Sequence, residues 1–209
     1  MQKKMCAYIL VVAIVSFLGF AVENIWLAIT KGYMDNRNMY FPFLLGYGLA
    51  VIGIFAVFGT PMTPRLLSLR IGVASPAART AVYFLCVMVS VSVGEILLGT
   101  LVEKVCHFHW WDYTGLPLHI TRYTSLPTSA AFSIIITLFM GFCFNPLVDF
   151  FMSWDDTALK IVAITVGTVM ALDFIVNFGG MLMRKATRRC WKIDIENSRT
   201  ILSFIHAKQ

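Results

Sequence analysis

Apolar positions along the chain come in long unbroken blocks, with polar residues confined to short stretches between them. Five such runs stand out, at residues 5–29, 43–58, 80–102, 129–148 and 158–183. A bilayer core about 30 Å thick needs roughly 20 apolar residues per helix, so each run is read as a span. The second is the shortest and carries Gly46, Gly48 and Gly53, the pattern of a tilted or re-entrant segment. The first follows Lys3 and Lys4 as a secretory leader would, but its apolar stretch to Val22 exceeds the about 7 to 15 residues of a leader core, so a retained anchor is expected. Helices keep every backbone group paired in lipid, where an open sheet would not. The pattern therefore predicts an all-α fold, a polytopic transmembrane helix bundle of about five spans with an interfacial aromatic loop. Residues 1–183 form the membrane domain and 184–209 a basic tail. In that tail Ile193, Ile195, Ile201, Leu202, Phe204 and Ile205 alternate with polar residues, which suits either an amphipathic helix lying on the membrane or a charged terminus. Ser90, Gly94, Gly99, Gly179 and Gly180 are small enough to let helices approach closely.

Composition agrees. Of 209 residues 58% are hydrophobic and 13% charged, against about a quarter charged in a soluble domain. Mean hydropathy is +0.76. The formal net charge of +6 would raise nucleic acid as a partner in a soluble protein. Here the basic residues sit in short loops and at the two ends, so membrane lipids with anionic headgroups are expected and nucleic acid is not. The five cysteines include no Cys-x-x-Cys pair and read as small hydrophobes. The charge pattern strains the positive-inside rule. An inside N-terminus puts Arg184, Lys185, Arg188, Arg189, Lys192, Arg199 and Lys208 outside, whereas the reverse misplaces only Arg65, Arg70 and Arg79. A re-entrant run would bring both ends to one face. A cytoplasmic tail is preferred and the N-terminus left open.

An ionisable group at the bilayer centre costs about 2.5 to 3.5 kcal/mol on insertion scales, which makes the acids within the runs informative. Glu23 with Asn24 lies in the outer third of the first run, and Asp173 with Asn177 lies well inside the fifth. Glu95, Gly99 and Glu103 are spaced four apart, which places two carboxylates on one helical face with a small residue between them. Such groups line a polar cavity, bind a cation or share a proton; alternatively they pair with Arg37, Lys104 or Arg122 at the membrane boundary. The loop at 103–128 is rich in interfacial aromatics, Trp110, Trp111 and Tyr113. Cys106, His107, His109 and Asp112 form only a weak zinc pattern, so no metal is expected. Neither a Gly-x-Ser-x-Gly elbow nor a phosphate-binding Gly-x4-Gly-Lys-Ser/Thr loop occurs. No cofactor is expected, the chain reads as a non-enzyme, and any ATP-driven work falls to a separate ATPase subunit.

Glu95, Glu103 and then Trp110-Trp111-Asp112-Tyr113 with Pro117 resemble the signature of the putative ABC-transporter type IV (CmpB-like) family of small bacterial multi-pass membrane proteins. Gly19-Phe20-x-x-Glu23, Asn36-Arg37, Pro42, Tyr47-Gly48 and Pro146-Leu147 carry the resemblance over residues 19–148. Asn38 replaces a Gly, Asn145 replaces a His, and the stretch from His119 to Tyr123 departs, with Arg122 one place early. The resemblance implies a permease or substrate-binding membrane subunit of the bacterial cytoplasmic membrane. The substrate-binding candidates are Glu23, Asn24, Arg37, Glu95, Glu103, Trp110, Trp111, Asp112, Tyr113 and Arg122. A non-catalytic assembly or regulatory protein stays open. So does a membrane enzyme acting on a lipid-linked substrate, with Glu95 or Glu103 as base, Arg37 and Arg122 as phosphate clamps and no other catalytic residue assigned. Oligomerisation with identical chains is likewise open.

Overall fold

The computed structural model describes residues 2–72, 75–195 and 199–201. The chain divides into two compact units, one built from Met1–Ala50 with Phe151–Gln209 and the other from Val51–Phe150.

In the first unit α1 (Gln2–Lys31) and α6 (Asp156–Phe174) pack side by side. They run in the same direction. Lys3 Nζ meets Asp156 Oδ1 at 2.6 Å where both helices begin. At the other end β1 (Tyr33–Asp35), just after α1, pairs antiparallel with β7 (Lys192–Asp194), just after α7 (Gly180–Arg184). The start of α1 and the segment at 192–194 therefore lie at opposite ends of this helix pair.

Asp155 starts α6 by accepting from the backbone N–H of Thr157 and Ala158. The helix loosens into a π-helical turn at Ile175–Gly179, continues as α7 and ends where Lys185 turns left-handed. The extended segment after β1 folds back to mid-helix, where Leu44 N–H donates to the Ser16 carbonyl at 3.0 Å. There α2 (Leu45–Phe58) begins. A Cβ on Gly48 would fall 2.4 Å from the Val12 carbonyl oxygen, so only Gly allows this approach. At 14 residues α2 spans about 21 Å, too short for a whole bilayer core. The expected second run at 43–58 is thus helical over all but its first two residues, but as a helix of only 14 residues. The others match four long apolar helices, Gln2–Lys31, Pro76–Cys106, Leu126–Met152 and Asp156–Arg184.

The described tail differs from a helix. Ile193 and Ile201 lie in β7 and β8 (Arg199–Ile201), antiparallel neighbours, and β7 also pairs with β1. β-branched residues alternating with polar ones suit a strand wherever a free edge is on offer, and β1 supplies it. Leu202, Phe204 and Ile205 lie outside the described residues.

In the second unit β2 (Gly59–Thr60), β3 (Thr63–Leu66) and β4 (Leu69–Arg70) form a small meander. Then α3 (Pro76–Cys106) starts with Pro in its first turn and stops where His107 turns left-handed and its N–H reaches the Glu103 carbonyl. The hairpin of β5 (His119–Thr121) and β6 (Thr124–Ser125) leads into α4 (Leu126–Leu138), capped by Ser125 and Thr128 in reciprocal hydrogen bonds. A π-helical turn at Phe139–Cys143 joins α4 to α5 (Phe144–Met152), which makes one rod. Only 11% of the apolar window of α3 is buried, against 50% for α1, so Leu97, Val89 and their neighbours along α3 point outward. Outward leucines on a helix this long suit lipid, and the protein is a membrane protein of helical-bundle class. Of the small residues expected at close contacts, Gly99 meets a neighbour, Gly94 and Gly179 face open space, and Gly180 is shielded by Arg184 of its own helix.

Candidate functional site

The ten residues expected at one site fall into two clusters, one in each unit. Glu23, Asn24 and Arg37 belong to the first unit. Glu95, Glu103, Trp110, Trp111, Asp112, Tyr113 and Arg122 belong to the second.

In the first unit the turn after β1 brings Arg37 back onto the last turns of α1. Its Nη2 donates to Glu23 Oε2 at 2.9 Å, and Tyr47 OH donates to Glu23 Oε1 at 2.5 Å. Both charged side chains are three-quarters or more buried, so the pair is shielded from water rather than dissolved in it. Asn24 Oδ1 accepts from Asp35 N–H, and Asp35 Oδ1 accepts from Arg37 N–H, which fixes the turn. Asp35 also faces Arg189 of the tail, with N–O 3.6 Å. Asn36 and Asn38 extend this stitching, because their Oδ1 atoms accept from the backbone N–H of Cys190 and Arg188. Burial pushes the Cys190 thiol up, opposed by Arg188 and reinforced by the Asp173 carboxylate. Asp173, noted within the fifth run but outside the candidate set, accepts from the backbone N–H of Tyr40 and Phe41 and from Asn177 Nδ2. The same segment walls a cleft of about 210 Å³ lined by Phe20, Asn36, Met39, Tyr40, Phe41, Pro42 and Trp191.

In the second unit the face formed by Glu95, Gly99 and Glu103 receives the turn between β5 and β6. A Cβ on Gly99 would sit 2.3 Å from the Tyr123 ring, so the ring lies directly on the helix backbone there. To one side Tyr123 OH donates to Glu103 Oε2 at 2.6 Å. To the other Thr124 Oγ1 donates to Glu95 Oε2 at 2.7 Å. Ser129 and Ser92 continue the hydroxyl chain, with Thr124 to Ser129 at 2.8 Å and Ser92 donating to Ser129 at 3.0 Å. Thr124 and Ser129 have no exposed surface, so these hydroxyls surround the carboxylate with fixed dipoles.

The aromatic loop closes over the same turn. Trp111 Nε1 donates to the Tyr123 carbonyl at 2.9 Å, and its ring stands edge-on to the Tyr123 ring with centroids 5.8 Å apart. Trp110 is tilted against Trp111. Tyr113 N–H donates to the Arg122 carbonyl. The Arg122 guanidinium lies 3.5 Å from Asp112 and 3.8 Å from Glu103, and its Nη1 contacts His109 Nε2. Two donors cannot face each other, so His109 Nε2 is the acceptor. His109 then carries its proton on Nδ1, which faces Tyr123 OH at 3.1 Å and Glu103 at 3.5 Å. Loss of water pushes the Tyr123 phenol up to about 12, helped by its hydrogen bond to Glu103. The Thr114 N–H holds Asp112 below the usual carboxylate range, with Arg122 contributing.

The pairings offered as the alternative to a solute site hold for Glu23 with Arg37 and for Glu103 with Arg122. Glu95 differs in resting on hydroxyls. Asp35, Tyr47, Tyr123, Thr124 and Ser129 were missed. Asp35 lies between the apolar runs, and hydroxyls in apolar surroundings carry no signal until a partner is placed beside them.

Among curated proteins and among solved structures nothing matches the chain. The family model described as putative ABC-transporter type IV matches residues 10–178, which takes in Glu23, the Arg37 turn, the whole Glu95–Arg122 cluster and Asp173. The chain belongs to the putative ABC-transporter type IV family.

Proposed function

We propose that this chain is the membrane-embedded permease or substrate-binding subunit of an ATP-driven transporter of the bacterial cytoplasmic membrane, with ATP hydrolysed on a separate chain. The observation that carries the reading is Glu95, a carboxylate inside an apolar membrane helix, held by Thr124 with Ser129 and Ser92 behind it. A carboxylate kept at such cost and dressed with hydroxyls is suited to a polar solute group or an ion. Trp110, Trp111, Asp112, Tyr113, Arg122 and Glu103 would form the interfacial approach to it. In the first unit Lys31, Arg37, Arg184, Lys185, Arg188, Arg189 and Lys192 gather where α1 ends, against Lys3, Lys4 and Lys160 where it begins. The positive-inside rule then puts the tail in the cytoplasm and the N-terminus across the membrane.

Purification of the full chain from its native membrane tests the transport reading. A stoichiometric ATP-binding-cassette subunit with ATP turnover is expected, and its absence overturns the reading. Glu95→Gln keeps an acceptor for the Thr124 hydroxyl, so the protein level should hold while transport per molecule falls about ten-fold or more. A fall in protein level with unchanged function per molecule would favour the second reading, an assembly or regulatory subunit. Glu23 supports that reading for the first unit, because both its oxygens are engaged by Arg37 and Tyr47.

A further inference from the structure

Asp173 is 5% exposed and Asn177 has no exposed surface, and both sit where α6 passes into its π-helical turn. Asn177 Nδ2 donates to two acceptors, the Asp173 carbonyl at 3.0 Å and Asp173 Oδ1 at 2.7 Å. That pair of acceptors settles which way the amide faces, since turning it over would set its oxygen against two others. The amide oxygen Oδ1 therefore points away, buried, with no hydrogen bond from any described residue. On Asp173, Oδ1 is fully used by Tyr40 N–H and Asn177 Nδ2, whereas Oδ2 has one long bond, 3.3 Å from Phe41 N–H. Among the described residues no Lys, Arg or His forms an ion pair with this carboxylate. A buried charge with neutral donors only, beside an orphaned buried oxygen, is a costly pairing to find inside a span.

We infer that Asp173 and Asn177 hold a monovalent alkali cation, Na+, between the π-helical turn and the extended segment at 40–41. One positive charge neutralises the single carboxylate, and a hard cation takes oxygen donors of the kind left over here, a carboxylate oxygen and an amide oxygen. A divalent ion would leave a net positive charge in apolar surroundings. The fold favours the site in two further ways. Helices interrupted next to non-helical backbone are where ions are bound in secondary transporters. Tyr40 and Phe41, whose N–H groups hold Asp173, also line the cleft of about 210 Å³. The site is independent of Glu95, which belongs to the other unit.

The test is radiolabelled sodium binding to the full chain in phospholipid nanodiscs, together with thermal unfolding in sodium chloride against choline chloride at equal ionic strength. Saturable binding is expected, displaced by unlabelled sodium and not by choline, with a higher Tm in sodium. Asp173→Asn removes the charge and keeps one acceptor oxygen, enough for Tyr40 N–H and Asn177 Nδ2 but not for Phe41 N–H, and Asn177→Ala removes the amide oxygen. Each should weaken sodium binding about ten-fold or more. Asp156→Asn, at the start of the same helix, should bind as the unaltered protein does. If Asp173→Asn fails to fold, Asn177→Ala and the sodium-against-choline comparison decide. The inference is overturned if the unaltered protein shows no saturable sodium binding. It is also overturned if both variants bind normally, or if unfolding responds to pH identically in sodium and choline, which would leave a proton or a water molecule at the pair.

Discussion

Polar residues in the two units cross-link chain over very different distances. In the first unit Asn36, Asn38 and Asp35 reach Arg188, Arg189 and Cys190, and Asp173 reaches Tyr40, so bonds close loops of more than 130 residues. In the second unit Glu95, Glu103, Trp111, Tyr123, Thr124 and Ser129 all lie within a stretch of 35 residues, and the widest bond of the cluster, Ser92 to Ser129, spans 37 positions. The chemistry differs as well. Charge meets charge at Glu23 and Arg37, whereas Glu95 meets hydroxyls. The first arrangement fastens the segment after α1 to the segment after α7. The second sets a carboxylate among buried hydroxyls that follow it in sequence within one loop.

Three changes would break or sharpen this contrast. The largest effect is expected from Arg37→Met, which strands the Glu23 carboxylate in a shielded site and should cost about 2 to 4 kcal/mol of stability. The measurement is unfolding of the detergent-solubilised protein. The double variant Glu23→Gln with Arg37→Met should recover most of the loss, and no recovery would mean that Arg37 acts through something other than the pair.

Gly99→Val comes next. Its side chain would occupy the place of the Tyr123 ring, pushing the turn off α3 at about 1 to 3 kcal/mol. Because Trp111 is bound to Tyr123, tryptophan emission should shift to longer wavelength as the loop loosens. An unchanged spectrum would show that the aromatic loop is held independently of α3.

The smallest effect is a titration. One phenol should ionise near pH 12, and Glu103→Gln should bring it back toward 10, read by tyrosinate absorbance. The folded value lies above the unfolded one, so the stability from Tyr123 is whole below pH 10 and is lost as pH rises through 12. Asp112 runs the opposite way. Its folded value is depressed, so its contribution is present above the ordinary carboxylate range and disappears as pH falls through the lowered value. Asp112 is exposed, so its share of the change is the lesser.

The same difference in sequence distance explains what was legible beforehand. Glu95, Gly99 and Glu103 share a face because a helix repeats every 3.6 residues, and the groups that fill that face follow within one loop. Nothing comparable relates Asp35 to Arg189 or Asp173 to the backbone at 40–41. Asn36 and Asn38 look like ordinary turn residues until the tail is laid beside them, and the tail becomes a strand because β1 has an edge to pair. Glu23 was singled out by its cost, but the cost is the same whether an arginine neutralises the acid or a solute does.

From the amino-acid sequence by itself come the membrane, the helices, four of the five passes and the positions of the costly acids, because these depend on apolar run length and helical period. Tertiary structure alone decided that α1 and α6 run the same way, that the second run forms a helix of only 14 residues, and which acids are paired with cations and which with hydroxyls or amides. The physical reason is that burial and run length are properties of a local stretch. The compensation of a buried charge is a property of whichever distant group the fold brings within 3 Å of it.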